Sequence, residues 1–289
     1  MLVTLREVLD DASAKGYAVG AFNVVDINMA RGVILAAEQQ RSPVILSQGQ
    51  GQFRFTPPEI MGVALRYLAQ EATVPVVIHL DHGKSLEVCQ RAIAAGYSSI
   101  MFDGSVLSLD DNIHQTREAV ALARQHGVSI EGEVGHVANA ETGDEPEQAV
   151  AAPVLEECHL TTPEAARHFW RETGVDALAV AFGTGHGIYR EAPRLEFDRL
   201  RAIRDAVDAP LVMHGGSGLC DEAYQEAIAC GIRKLNYFTL LSQSLAELIK
   251  QQVNASDEPW YHEVPLLVVE ETRQHVARLM TLFGSARRV

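Results

Sequence analysis

Three histidines in this chain each close a short apolar run, and each is followed by glycine: His82 in VVIHLDHG, His186 in LAVAFGTGHGIY and His214 in PLVMHGGSG. An apolar run of that length reads as a buried strand, and a glycine after it permits a sharp turn and close approach of a ligand. Taken singly, such a histidine is most often a satisfied structural residue. Three in one context are what a divalent-metal site needs, because neutral imidazoles projecting from neighbouring strand ends can converge on one point. Asp81 directly precedes His82. It places a carboxylate beside the candidate ligand, suited to proton transfer at a substrate held there.

These positions need a scaffold that gathers strand ends. Eight β-like runs, at 18–24, 43–48, 75–82, 98–104, 129–135, 177–183, 210–216 and 234–238, alternate with amphipathic stretches such as DINMARGVILAAEQQ, SLEVCQRAIAAG and DEAYQEAIACG. Nearly all-apolar strands separated by helices predict a parallel sheet covered by helices, an α/β fold. Eight is the number that closes into a (β/α)8 TIM barrel. An open doubly wound sheet is the alternative, but no G-x-G-x-x-G follows the first strand. In a barrel the carboxyl ends of the strands share one face. His82, His186 and His214 then meet there with Asp103 from MFDG on strand four and Glu133 from EGEVG on strand five. Three imidazoles that leave coordination positions open suit a catalytic rather than a structural zinc. Asp103 and Glu133 either hold a second divalent metal or hydrogen-bond the ligands from behind.

Residues 136–161 interrupt the rhythm with a long acidic connection after strand five, which predicts a mobile loop on the catalytic face. A final helix and tail are expected over 260–289, within one domain spanning 1–289. With 289 residues, 47% of them hydrophobic, the chain can bury one full core and is short for two ordinary domains. A net charge of −14 argues against nucleic acid and anionic membrane surfaces as partners. It still permits a phosphorylated substrate, since backbone N–H groups bind anions locally. Four cysteines without C-x-x-C pairing, and an N-terminus without an apolar leader, predict a soluble cytoplasmic protein.

Over essentially its whole length the sequence resembles the zinc-dependent class II aldolases, above all the ketose-bisphosphate group that includes tagatose- and fructose-bisphosphate aldolases. HLDHG, MFDGS, EGEVG, LTTPEAARHF, GVDALAVAFGTGHGIY, PRLEFDRL, HGGSG, GIRKLN and the terminal GSA carry the resemblance, in order. It implies a TIM barrel, zinc on His82, His186 and His214, and reversible aldol cleavage of a ketose 1,6-bisphosphate to dihydroxyacetone phosphate and an aldehyde. It implies a homodimer or homotetramer. Asp103 and Glu133 become candidates for a second or resting metal position, Asp81 the acid/base at the C4 hydroxyl, and Glu141 the loop base for the C3 proton. Gly187, Gly215, Ser217, Asn236 and Thr239, with Asn23, fall where the family binds the triose and its phosphate. Gly187 and Gly215 also fall where it holds a monovalent cation (Na+ or K+). Arg278 falls where an arginine reaches a neighbouring subunit's distal phosphate.

The chemistry also follows from the residue types. Cleaving C3–C4 leaves negative charge that an electrophile at the C2 carbonyl must absorb, and the C4 hydroxyl must lose a proton to a nearby carboxylate. A Schiff-base aldolase would need a lysine at a strand's carboxyl end, whereas Lys234 reads as the first residue of strand eight. Three departures from the family pattern concern the substrate: Gly49 in place of a Ser or Thr after strand two, Phe238 in place of Asp or a small residue after strand eight, and Ala138–Asn139 in place of paired loop glycines. They leave open a different ketose, with one phosphate or none. A metal-dependent barrel hydrolase is a further alternative, although AFNVVD lacks the H-x-H pair common in those enzymes.

Overall fold

The computed structural model describes residues 1–137, 159–189 and 191–289. Eight parallel strands close into a barrel in sequence order: β1 (Val19–Asn23), β2 (Val44–Gly49), β3 (Val76–Gly83), β4 (Ser99–Phe102), β5 (Ser129–Val134), β6 (Ala177–Val180), β7 (Leu211–Met213) and β8 (Ile232–Tyr237). All eight expected runs are strands, and closure comes from β1 pairing with β8. Helices α1 (Leu5–Lys15) through α8 (Asp221–Ala229) precede or connect them, and α9 (Thr239–Asn254) and α10 (Val264–Leu282) follow. The helix starts carry the signals that stop fraying: Thr4 and Glu7 form a capping box on α1, and Asp26, Ser85, Ser108 and Thr162 cap others.

The period-2 alternation of the strands divides the core into two layers. In β3, Val76, Ile78 and Leu80 face out against the helices, whereas Val77 faces in with Val19, Ala21, Ile45, Met101, Ala177, Ala179 and Val212. Leu5, Val8, Leu9 and Ala12 of α1 belong to this inner cluster, so α1 plugs the amino-terminal end of the barrel. Burying each of its larger side chains contributes about 1.5–3 kcal/mol. Above the apolar plug the inward positions turn polar, with His79, Asp81, Glu131, Glu133, Lys234 and Asn236 all buried. That change of chemistry along the barrel axis marks the functional end.

One expectation is corrected. β8 begins at Ile232, so Lys234 is its third residue, inside the barrel, rather than the residue that opens the strand. Gly231, at φ +114°, ends the preceding turn early enough for Ile232 to pair with Leu211. The tail expected from 260 is a short turn over Tyr261–Glu263 followed by α10. The expected loop over 136–161 is described only at its two ends, and Glu141, Ala138 and Asn139 lie outside the described residues.

Candidate active site

Strict alternation would turn His82 outward, because its neighbour Asp81 faces in. A register shift between Leu80 and Gly83, with His82 at φ +48°, breaks the alternation and aims both side chains into the barrel mouth. A non-glycine residue in the left-handed region costs about 1–2 kcal/mol. The hydrogen bond from His82 Nδ1 to Asp103 Oδ2, 2.8 Å, helps hold it there. His186 follows β6 and His214 follows β7. The three imidazoles stack edge to face with centroids 4.6, 5.0 and 5.8 Å apart.

Candidate ligand atoms of His82, His186 and His214 lie within 4.8 Å of one another. His82 Nε2, His186 Nε2 and His214 Nδ1 are buried without a hydrogen-bond partner. For His82 and His214 the opposite ring nitrogen is bonded to a carboxylate, which only accepts; an N–H sits there, and the orphaned nitrogen is the one that can exchange its proton for a cation. Glu131 Oε1 is that acceptor for His214 Nε2, at 2.8 Å. Three orphaned imidazole nitrogens with carboxylates behind two of the rings form a donor set that could hold a divalent cation. His82, Asp103 and Glu133 form a second group whose candidate ligand atoms lie within 4.8 Å of one another.

Electrostatics agree. Burial alone would lower the His82 pKa, but Asp81, the Asp103 hydrogen bond and Glu133 push it up to about 10. Burial and the neighbouring Asp103 raise Glu133 to about 8. So many carboxylates around one imidazole create a negative potential that positive charge relieves. Burial opposes ionisation of Asp81 as well, yet His82, His214 and Lys234 hold its carboxyl well below the usual range.

Asp81 is held by two amides. Asn23 Nδ2 donates to Oδ2 at 2.8 Å and Asn236 Nδ2 to Oδ1 at 2.9 Å. Beneath them Lys234 Nζ, fully buried, donates to Asn236 Oδ1 at 2.7 Å and pairs with Glu131 at 2.9 Å. Lysine can only donate, so it fixes the Asn236 amide with its NH2 toward Asp81. His79 borders the same network, 3.7 Å from Glu131, with its pKa lowered to about 3 by burial and by Lys234. Glu131, Lys234 and His79 are the site residues the sequence reading did not assign. Their signal was present as charged or imidazole side chains at inward positions of otherwise apolar strands.

A pocket opens beside Asp81 and His186, lined by Asn23, Gly187, Gly215, Ser217, Asn236 and Thr239, with Phe238 on its wall. Six of the seven expected substrate-binding residues therefore surround one space. Ser217 Oγ accepts from Phe238 N at 3.0 Å. Thr239 opens α9, so a helix N-terminus borders the pocket, an arrangement suited to phosphate. Phe238 lies just past β8, half-buried. Arg278, the seventh, is exposed on α10 and paired with Asp221 at 2.8 and 3.0 Å, outside this pocket. Gly49, in register with Asp81, has an ordinary backbone (φ −73°, ψ 149°).

A family profile described as fructose-bisphosphate aldolase class-II matches residues 3–288. The chain is 39% identical to the uncharacterized protein YdjI of Escherichia coli K12 over 99% of this chain and 98% of that one. It is 41% identical to the 6-phospho-5-dehydro-2-deoxy-D-gluconate aldolase of Shouchella clausii, covering 82% and 78% of the two chains. The crystal structure of the YdjI aldolase superposes with a TM-score of 0.86 at 36% identity, covering 100% and 99% of the chains. A putative fructose-1,6-bisphosphate aldolase from Coccidioides immitis gives 0.88 at 27% identity, covering 98% and 97%. The chain belongs to the class II fructose-bisphosphate aldolase family. It is an aldolase, a carbon–carbon lyase built on a TIM barrel.

Proposed function

We propose that this enzyme catalyses zinc-dependent, reversible aldol cleavage of a ketose 1,6-bisphosphate of the tagatose or fructose type, giving dihydroxyacetone phosphate and an aldehyde. The observation that carries the reading is the set of three buried, unpartnered imidazole nitrogens beside a buried carboxylate and an open, glycine-lined pocket. His82, His186 and His214 would hold the zinc, which supplies Lewis-acid polarisation of the substrate carbonyl. Asp81 takes the C4 hydroxyl proton as the C3–C4 bond breaks and returns it in the reverse direction. Its low pKa leaves it ionised, and the two amide donors aim it. Glu141, outside the described residues, serves as base at C3. Gly187, Gly215, Ser217 and the start of α9 at Thr239 hold the triose phosphate through N–H and hydroxyl donors, despite the acidic chain. Arg278 of one subunit would reach the distal phosphate in its neighbour within a homodimer or homotetramer.

A second reading keeps the reaction and changes the substrate to a ketose with a single phosphate. The relative from Shouchella clausii is named for a monophosphate substrate. Phe238, which departs from the family pattern, also stands on the pocket wall. An assay coupling dihydroxyacetone phosphate release to its NADH-dependent reduction separates them across fructose, tagatose and sorbose bisphosphates and their 1-phosphates. Release from bisphosphates alone supports the first reading, and from monophosphates the second. Failure to release a triose phosphate from any of them overturns both.

A further inference from the structure

Tyr189 stands three residues past His186, and its side chain folds back onto the loops that carry two of the three imidazoles. Its hydroxyl accepts from Gly185 N at 2.7 Å. It lies 2.9 Å from Gly185 O and 2.7 Å from Gly215 O, positioned to donate to either. Gly185 immediately precedes His186, and Gly215 immediately follows His214. The two loops touch backbone to backbone: a Cβ on Gly215, already at φ +67°, would stand 2.5 Å from Gly185 O. Only glycine permits that approach. It brings two carbonyl oxygens toward one point, and like-signed dipoles facing each other repel unless a donor stands between them. The phenol is that donor, and the mechanism above makes no use of it.

We infer that Tyr189 is a positioning residue: its hydroxyl bolts the β6 loop to the β7 loop and so sets the separation of His186 and His214 and the shape of the backbone cradle at Gly187 and Gly215. The inference rests on the proposed metal-binding role of the three histidines. A phenol is well suited to the task, since it accepts one N–H and donates one O–H from a rigid ring. Supporting groups behind metal ligands typically control affinity by 10–100-fold.

Tyr189→Phe tests it, because the ring and its packing remain and only the oxygen is lost. The metal-free protein is titrated with Zn2+ against a chromophoric chelator and with Co2+, whose visible spectrum reports coordination geometry. The expected result is a roughly 10–100-fold weaker Zn2+ affinity and an altered Co2+ spectrum, with the metal-free melting temperature close to that of the parent. A parent protein that binds zinc tightly, with a variant equal to it in affinity and spectrum, overturns the inference. A parent that binds neither metal overturns the metal reading itself. A metal-free variant that melts well below the parent, with unchanged metal affinity once folded, makes the hydroxyl a stabilising group only and also overturns it.

Discussion

Lys234→Met removes the cation that, among the described residues, connects the two working arms of the site. Lys234 and Glu131 are both fully buried and 2.9 Å apart. Deleting the lysine leaves the Glu131 carboxylate in the barrel interior beside the His79 and His214 imidazoles. Breaking a buried pair by removing one partner costs about 3–5 kcal/mol. At about 2 °C per kcal/mol for a chain of this size, that is a fall in melting temperature of roughly 6–10 °C. Catalysis should fall further than stability explains, because Asn236 Oδ1 loses its donor and the amide is free to turn away from Asp81. The double variant Lys234→Met/Glu131→Leu separates the two effects. A buried pair replaced by apolar side chains is often neutral, so its melting temperature should return toward the parent value. Turnover should stay low, since Asp81 has lost its aimed amide and His214 its acceptor. Calorimetry and the coupled cleavage assay on the same preparations decide the matter. A single variant that melts within about 2 °C of the parent, or a double variant as active as the parent, would refute the reasoning.

Chelation should abolish cleavage while a cooperative thermal transition persists, because the inner and outer hydrophobic layers do not depend on a metal; full activity in metal-free protein would contradict the site. Asp81→Ala should lower turnover by roughly 10²–10⁴-fold with zinc content retained, whereas loss of zinc in that variant would recast Asp81 as a partner of the ligands. Phe238→Ala should change the ratio of kcat/KM between candidate ketoses, by roughly 1–3 kcal/mol if the ring borders substrate. Unchanged ratios with a lowered melting temperature would make it a packing residue only.

Most of the architecture was legible in the sequence because it is written in local signals. Short apolar runs, most of them ending at or next to glycine, marked the eight strands, and parallel strands separated by helices leave few ways to bury both faces of a sheet. The inventory of the site was legible for the same reason, since strand ends in a barrel share one face and His82, His186 and His214 each sit at such an end. Tertiary structure decided which atoms face which. Alternation alone would have sent His82 outward. The register shift in β3 and a left-handed backbone turned it in, and both depend on the pairing with β4 and the hydrogen bond to Asp103. Lys234 could not be placed from the chain alone, because a strand's first residue is set by its partner, here Leu211 in β7. The pairing of Lys234 with Glu131, and of Glu131 with His214, joins residues far apart in sequence. Local patterns carry periodicity and turn chemistry, while a buried network is fixed only when the barrel closes and each polar group must find a partner away from water.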